Sequence, residues 1–168
     1  RLIGDPTQRY QEDPVRMLRA VRFAAKLDFD IEQHTAAPIR PLAHLLRDIP
    51  SARLFDEVLK LFLTGYAEHT FELLVEYELL APLFPASAAA LKSDPQYAGT
   101  LMRLALTNTD TRIAEGRPVT PAFLFAAMLW PALPSRVAQL QERGMPPIPA
   151  MQEAAQNLII EQCQRTAI

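Results

Sequence analysis

Fifteen prolines against five glycines constrain this chain more than any other feature of its 168 residues. Proline fixes φ near the helical value and has no amide hydrogen, so it suits the first turn of a helix and breaks one anywhere later. So few glycines leave little material for the tight turns of β-hairpins. No run alternates apolar and polar residues with period two between turn signals, so no strand is expected. The pattern predicts an all-α fold of short helices punctuated by prolines. Apolar residues at 49% and charged residues at 21% give such helices a core to bury, and exclude a disordered chain.

The opening RLIGDPTQRYQEDP carries two Asp-Pro pairs and reads as extended or turn structure. Asp13 then serves as an N-cap, Pro14 takes the first helical position, and VRMLRAVRFAAKL continues the helix. Helical spacing puts Met17, Leu18, Val21, Ala24 and Ala25 on one face and Arg16, Arg19, Arg22 and Lys26 on another. Asp28-Phe29-Asp30 reads as the turn that ends it, and shorter pieces follow, broken at Pro38, Pro41 and Pro50. Ser51 should cap ARLFDEVLKLFLT, which Gly65 stops. A partner helix over roughly 67–80 completes a hairpin. Residues 83–94 read as a linker with a short helix, and further helices are expected at 95–107, 121–130, 135–142 and 150–164. No repeat near 34 or 40 residues is apparent.

The formal net charge of −2 confines any nucleic-acid contact to a local patch. Six Lys/Arg against three Asp/Glu in the first 26 residues place that patch early in the chain. A lone Cys163 excludes an intramolecular disulfide and a cysteine zinc site, fits a reducing, cytoplasmic setting, and reads as a packing residue. His34, His44 and His69 show neither HxxxH nor HExxH spacing, so no metal site is expected of them. The uncharged stretches 79–91 and 119–135 are broken by prolines and neither offers the ~18 clean apolar residues of a membrane span. No secretory signal opens the chain, and the start without Met reads as a piece of something longer.

Chemistry concentrates in Glu12, Asp13, Arg16, Arg19 and Arg22. Asp13 and Arg16 are three apart, so their side chains are neighbours on the first helical turn. A carboxylate acceptor beside a guanidinium donor matches the N6–H and N1 edge of adenine, or the N4–H and N3 edge of cytosine. Guanine and uracil present the reverse order and are refused. The other arginines suit phosphates. The same residues also make an ordinary N-cap and a solvated basic face.

The run RLIGDPTQRYQEDPVRMLRAVRFAAKLDFDI strongly resembles the neck of the class II nucleotidyltransferases, the bacterial poly(A) polymerases and tRNA CCA-adding enzymes. The resemblance makes Glu12, Asp13 and Arg16 the nucleotide-reading EDxxR element, with Arg19 and Arg22 as its further arginines. Asp28 departs from the family pattern, which has Gly there. Arg53, Glu57 and Lys60 match a second family element thought to buttress the reading helix; their spacing alone is only a weak i,i+4 pair. LTNTDTRI (106–113) and VTPAFLFAAMLW (119–130), on their own a loop and a buried helix, resemble the body of the proteobacterial poly(A) polymerases.

The implied organisation is a neck domain over 1–83 and a helical body domain over 84–168. The implied function is part of a template-independent RNA 3′-adenylyltransferase that uses ATP and Mg²⁺ on an RNA 3′ end. The family's catalytic head carries a Gly-Ser followed by Asp-x-Asp that holds two metal ions. This chain has no Gly-Ser, so its residues are expected to supply neither the metal ligands nor the catalytic carboxylates, and the head is expected upstream. The alternatives are a fragment of a CCA-adding enzyme, or a non-catalytic helical module that binds RNA or protein.

Overall fold

The computed structural model describes residues 2–167, and every regular element among them is helical. In chain order these are α1 (Pro6–Glu12), α2 (Val15–Leu27), α3 (Gln33–Ala36), α4 (Ile39–Leu42), a 3-10 segment (Ala43–Asp48), α5 (Ser51–Phe62), α6 (Ala67–Glu76), α7 (Leu80–Leu83) and α8 (Pro85–Ser93). The second half adds α9 (Pro95–Ala114), α10 (Pro121–Leu129), a 3-10 turn (Trp130–Ala132), α11 (Leu133–Glu142) and α12 (Pro147–Arg165). The all-α expectation holds. Prolines open α1, α8, α9 and α10, where a missing amide hydrogen costs nothing. None of the helices is long and apolar enough to cross a membrane, among the described residues.

The first correction lies at the start of the chain. The opening is helical, because Asp5-Pro6 is an N-cap followed by N1 rather than a turn. The Asp5 carboxylate accepts from the Gln8 amide at 3.2 Å, and buried Tyr10 anchors α1 by donating its hydroxyl to the Thr35 carbonyl at 2.9 Å. Burial, helped by nearby Tyr77, pushes the Tyr10 phenol up to about 12. Asp13 is therefore a joint. Its amide donates to Arg9 to close α1, and its carbonyl accepts from Arg16 to begin α2, while its side chain caps neither helix. Ser51 likewise makes no side-chain cap on α5. The inward face of α2 is the expected one, with Met17, Leu18, Val21, Ala24 and Ala25 buried, and Asp28 ends the helix in the left-handed region at φ 52°.

The second correction concerns 106–113, read on its own as a loop. It continues α9, and the hydroxyls of Thr107, Thr109 and Thr111 fold back onto carbonyls four residues earlier at 2.9, 2.9 and 3.0 Å, the geometry threonine adopts when it is accommodated within a helix. Asp110 reaches across to α6, where its carboxylate accepts from the amides of Ala67 at 2.7 Å and Glu68 at 3.1 Å. Tyr66 precedes α6 without a side-chain cap of its own, so the cap arrives from 43 residues away. Asp110→Ala is expected to cost about 1–2 kcal/mol, lowering Tm by roughly 2–8 °C in a chain of this size. Melting followed by circular dichroism reads this directly, and Asp110→Asn should lose less.

One hydrophobic cluster runs from Tyr10 and Leu18 through Leu54, Phe62, Phe71 and Phe84 to Met102, Leu124 and Met128. The expected boundary between residues 83 and 84 falls inside it. Phe84 packs edge-on to Phe62 at 6.2 Å and tilted against Phe125 at 5.5 Å, and Phe55 stacks on Phe125 at 5.8 Å. A smaller cluster built on Ala132, Leu133, Ala154 and Leu158 joins α11 to α12. The end of α12 returns to the first half. Buried Gln162 donates to the Leu83 carbonyl at 2.8 Å, Arg165 to the carbonyls of Leu46 at 3.0 Å and Arg47 at 3.2 Å, and the Ala167 amide to Ser51 at 3.2 Å.

Candidate nucleic-acid interface

With its apolar face in the core, α2 turns its arginines outward, and α5 lies beside it as support. Arg53 on α5 donates through one Nη to both carboxylate oxygens of Asp13, at 2.9 and 3.1 Å. Glu57, one turn further along α5 and only 5% exposed in its side chain, faces Arg19 at 3.9 Å and Lys60 at 3.2 Å. The expected Arg53–Glu57 pair along one helix is thus replaced by two contacts that cross between helices. Arg53 fixes the acceptor at the start of α2, and Glu57 orients a guanidinium one turn later. Packing requires this of Glu57, because a buried carboxylate is costly without partners of opposite charge.

Arg16 and Arg19 line a cleft of about 400 Å³ together with Ala20, Phe23, Phe29 and Asp30. That volume suits a small ligand or a single base. The Arg16 Nε is buried and has no hydrogen-bond partner. A buried guanidinium N–H without an acceptor is costly unless a ligand supplies one. Arg22 lays its guanidinium 5.2 Å from the centroid of the neighbouring Phe23 ring, whose outer part is exposed.

Of the predicted residues the structure brings Arg16 and Arg19 into the cleft; Asp13, held by Arg53, and Arg22 are not among its lining residues. It does not bring Glu12 into the cleft. Glu12 ends α1 and pairs with Arg9 at 3.3 Å on the surface. Sequence reasoning passed over Phe23 and Phe29, two exposed rings bordering the cleft. The signal was present, since apolar rings beside a basic arc fit neither a core face nor a solvated one. Thr35 of α3 also lines the cleft, and Glu32 caps that helix, its carboxylate accepting from the amides of His34 and Thr35 and from the Thr35 hydroxyl. The His34 amide, then the Thr35 hydroxyl, hold that carboxyl below its ordinary range. Among the described residues no group of three or more His, Cys, Asp or Glu could hold a metal ion.

Residues 28–91 match the family described as "Probable RNA and SrmB- binding site of polymerase A". Over 86% of its length the chain is 51% identical to Poly(A) polymerase I of Haemophilus influenzae, covering 32% of that protein. Over its full length it is 49% identical to Poly(A) polymerase I of Escherichia coli O6:H1, covering 37% of that protein. A CCA-adding enzyme of Ligilactobacillus salivarius is 39% identical over 55% of the chain, which covers 24% of that enzyme. The chain spans about a third of the length of the polymerases it matches.

Proposed function

Since the chain belongs to the family of the bacterial poly(A) polymerases, we propose that it supplies the adenine-reading helix and part of the RNA-holding scaffold of a template-independent RNA 3′-adenylyltransferase. The observation that carries this reading is the clasp of Arg53 on Asp13 beside an Arg16 whose Nε lacks an acceptor. A carboxylate can accept up to about four hydrogen bonds, so Asp13 keeps capacity for the adenine N6–H while Arg53 holds it still. Arg16 donates to adenine N1. Uracil and guanine would set a donor against Arg16 and an acceptor against Asp13, and neither pairs. Discrimination thus comes from two fixed side chains and needs no template strand. Arg19 and Arg22 suit the triphosphate, with Glu57 aligning the first.

In this reading residues up to 83 present the base-selecting helix, the helices from 84 brace it through the shared core, and a cytoplasmic setting fits the single cysteine. The protein that contains this chain, given ATP, Mg²⁺ and a labelled RNA, should build a homopolymeric A tail on the 3′ end. Addition of C and then a single A to a shortened tRNA would instead assign it to CCA synthesis. The 168-residue chain by itself should extend nothing, because among the described residues its carboxylates gather into no group of metal-ligand character. Tailing by the purified chain would overturn that assignment of the carboxylates.

A further inference from the structure

A second basic surface lies away from α2. The 3-10 segment with the end of α4 forms one wall of a groove, and α7 with α8 forms the other, enclosing about 790 Å³. Arg40, His44 and Arg47 line the first wall and Lys92 the second, over a floor that includes Pro82 and Pro85. Glu78 is the single carboxylate among its lining residues. This concentration runs against the local composition, since residues 27–168 hold 11 Lys/Arg against 16 Asp/Glu.

Elsewhere in that stretch, Arg53, Lys60, Arg103, Arg117 and Arg136 are each neutralised by an ion pair. Among the described residues, Arg40, Arg47 and Lys92 have no carboxylate within 4.0 Å, and Arg40 spends only its Nε, on the Glu76 carbonyl. Arg165, seated on the carbonyls of Leu46 and Arg47, adds a further positive charge behind the first wall. Besides Glu78 in the lining, two carboxylates lie on adjoining elements: Asp48 ends the 3-10 segment and Glu76 ends α6. No Phe, Tyr or Trp lines the groove, and its one ring is the His44 imidazole, bonded through Nδ1 to the Pro41 carbonyl.

We propose that this groove carries the phosphate backbone of single-stranded RNA on Arg40, Arg47 and Lys92. The proposal rests on the reading of the chain as RNA-binding. Three cations against one lining carboxylate attract polyanions, and with no Phe, Tyr or Trp to stack on the contact is one of backbone rather than base. The groove therefore tracks the strand without regard to its sequence, while the cleft on α2 reads adenine.

A fluorescein-labelled twelve-nucleotide oligouridylate tests this, because uracil is refused by the adenine-reading pair. Its affinity for the chain is measured by anisotropy across a salt series. Each phosphate contact to a single strand contributes about −0.7 to the slope of log K against log salt. The double substitution Arg47→Gln/Lys92→Gln should flatten that slope by about 1.4 and weaken binding roughly ten-fold or more at low salt. Exposed Arg143, outside the groove, provides the control, and Arg143→Gln should leave the slope unchanged. Both groove side chains are exposed, so melting curves should superimpose on wild type. Wild-type binding with an unchanged slope in the double variant would overturn the groove while leaving the RNA-binding reading intact. Weaker binding at an unchanged slope would overturn the phosphate assignment and point to a protein-facing surface. No binding by the wild-type chain at low salt would overturn both readings together.

Discussion

Asp13→Asn, made in the full-length protein, is expected to reduce the preference for ATP over UTP and GTP by roughly ten- to hundred-fold. A bidentate-type contact to a base carries about 1–3 kcal/mol of discrimination, and each 1.4 kcal/mol is about ten-fold. Asn keeps the size of Asp but replaces one acceptor oxygen with a donor, opposite the adenine amino group. It also loosens the hold of Arg53, which bonds both oxygens. Arg53→Ala should act in the same direction and more weakly, since it frees the acceptor without removing it. Competition between nucleotides in a tailing assay measures both. Preserved selectivity in Asp13→Asn would reduce Asp13 to the joint that closes α1 and opens α2. The stability cost should stay small, because the Asp13 side chain caps neither helix.

The sequence carried α2 clearly. A 3.6-residue period separated Met17, Leu18 and Val21 from Arg16, Arg19 and Arg22, and the structure buries the first three completely. The partners of Asp13 and Glu57 were not legible. Arg53 lies 40 residues from Asp13, and nothing in helical periodicity says which carboxylate a surface arginine will meet once two helices pack. Local reading therefore offered the nearest candidate, Glu57, four positions along the same helix. Asp110 failed for the same reason, because a cap given to a helix 43 residues earlier leaves no local signature. The opening failed differently. Asp5-Pro6 suits a turn and a helix start equally, and buried Tyr10 decided between them through tertiary contact.

Phe84→Ala should be the most damaging single core substitution. The ring is fully buried and contacts both Phe62 and Phe125, so its removal leaves the direct Phe55–Phe125 stack as the one remaining ring contact described between α5 and α10. Phenylalanine-to-alanine changes in cores cost about 3–5 kcal/mol, a large share of the roughly 5–15 kcal/mol that holds a domain folded. Because the cluster runs across residue 84, the loss should be felt on both sides of it. Urea titration followed by far-ultraviolet circular dichroism and by the fluorescence of Trp130, the single tryptophan, should give coincident transitions in wild type and variant. Two separated transitions would mean that 1–83 and 84–168 are independent folding units.

The bonds from the end of α12 also dictate an order of assembly. Gln162 reaches Leu83 across 79 residues, and Arg165 reaches Arg47 across 118. Closing loops of that length is entropically expensive and slow compared with winding a helix. During synthesis α1 to α6 can form and pack while the rest of the chain is still being made. The carbonyls of Leu46 and Arg47 must meanwhile rely on water, because their guanidinium partner has not yet left the ribosome. The 3-10 wall of the basic groove is therefore among the last surfaces to reach its final shape, and a nascent chain exposes the α2 arginines well before that groove is complete.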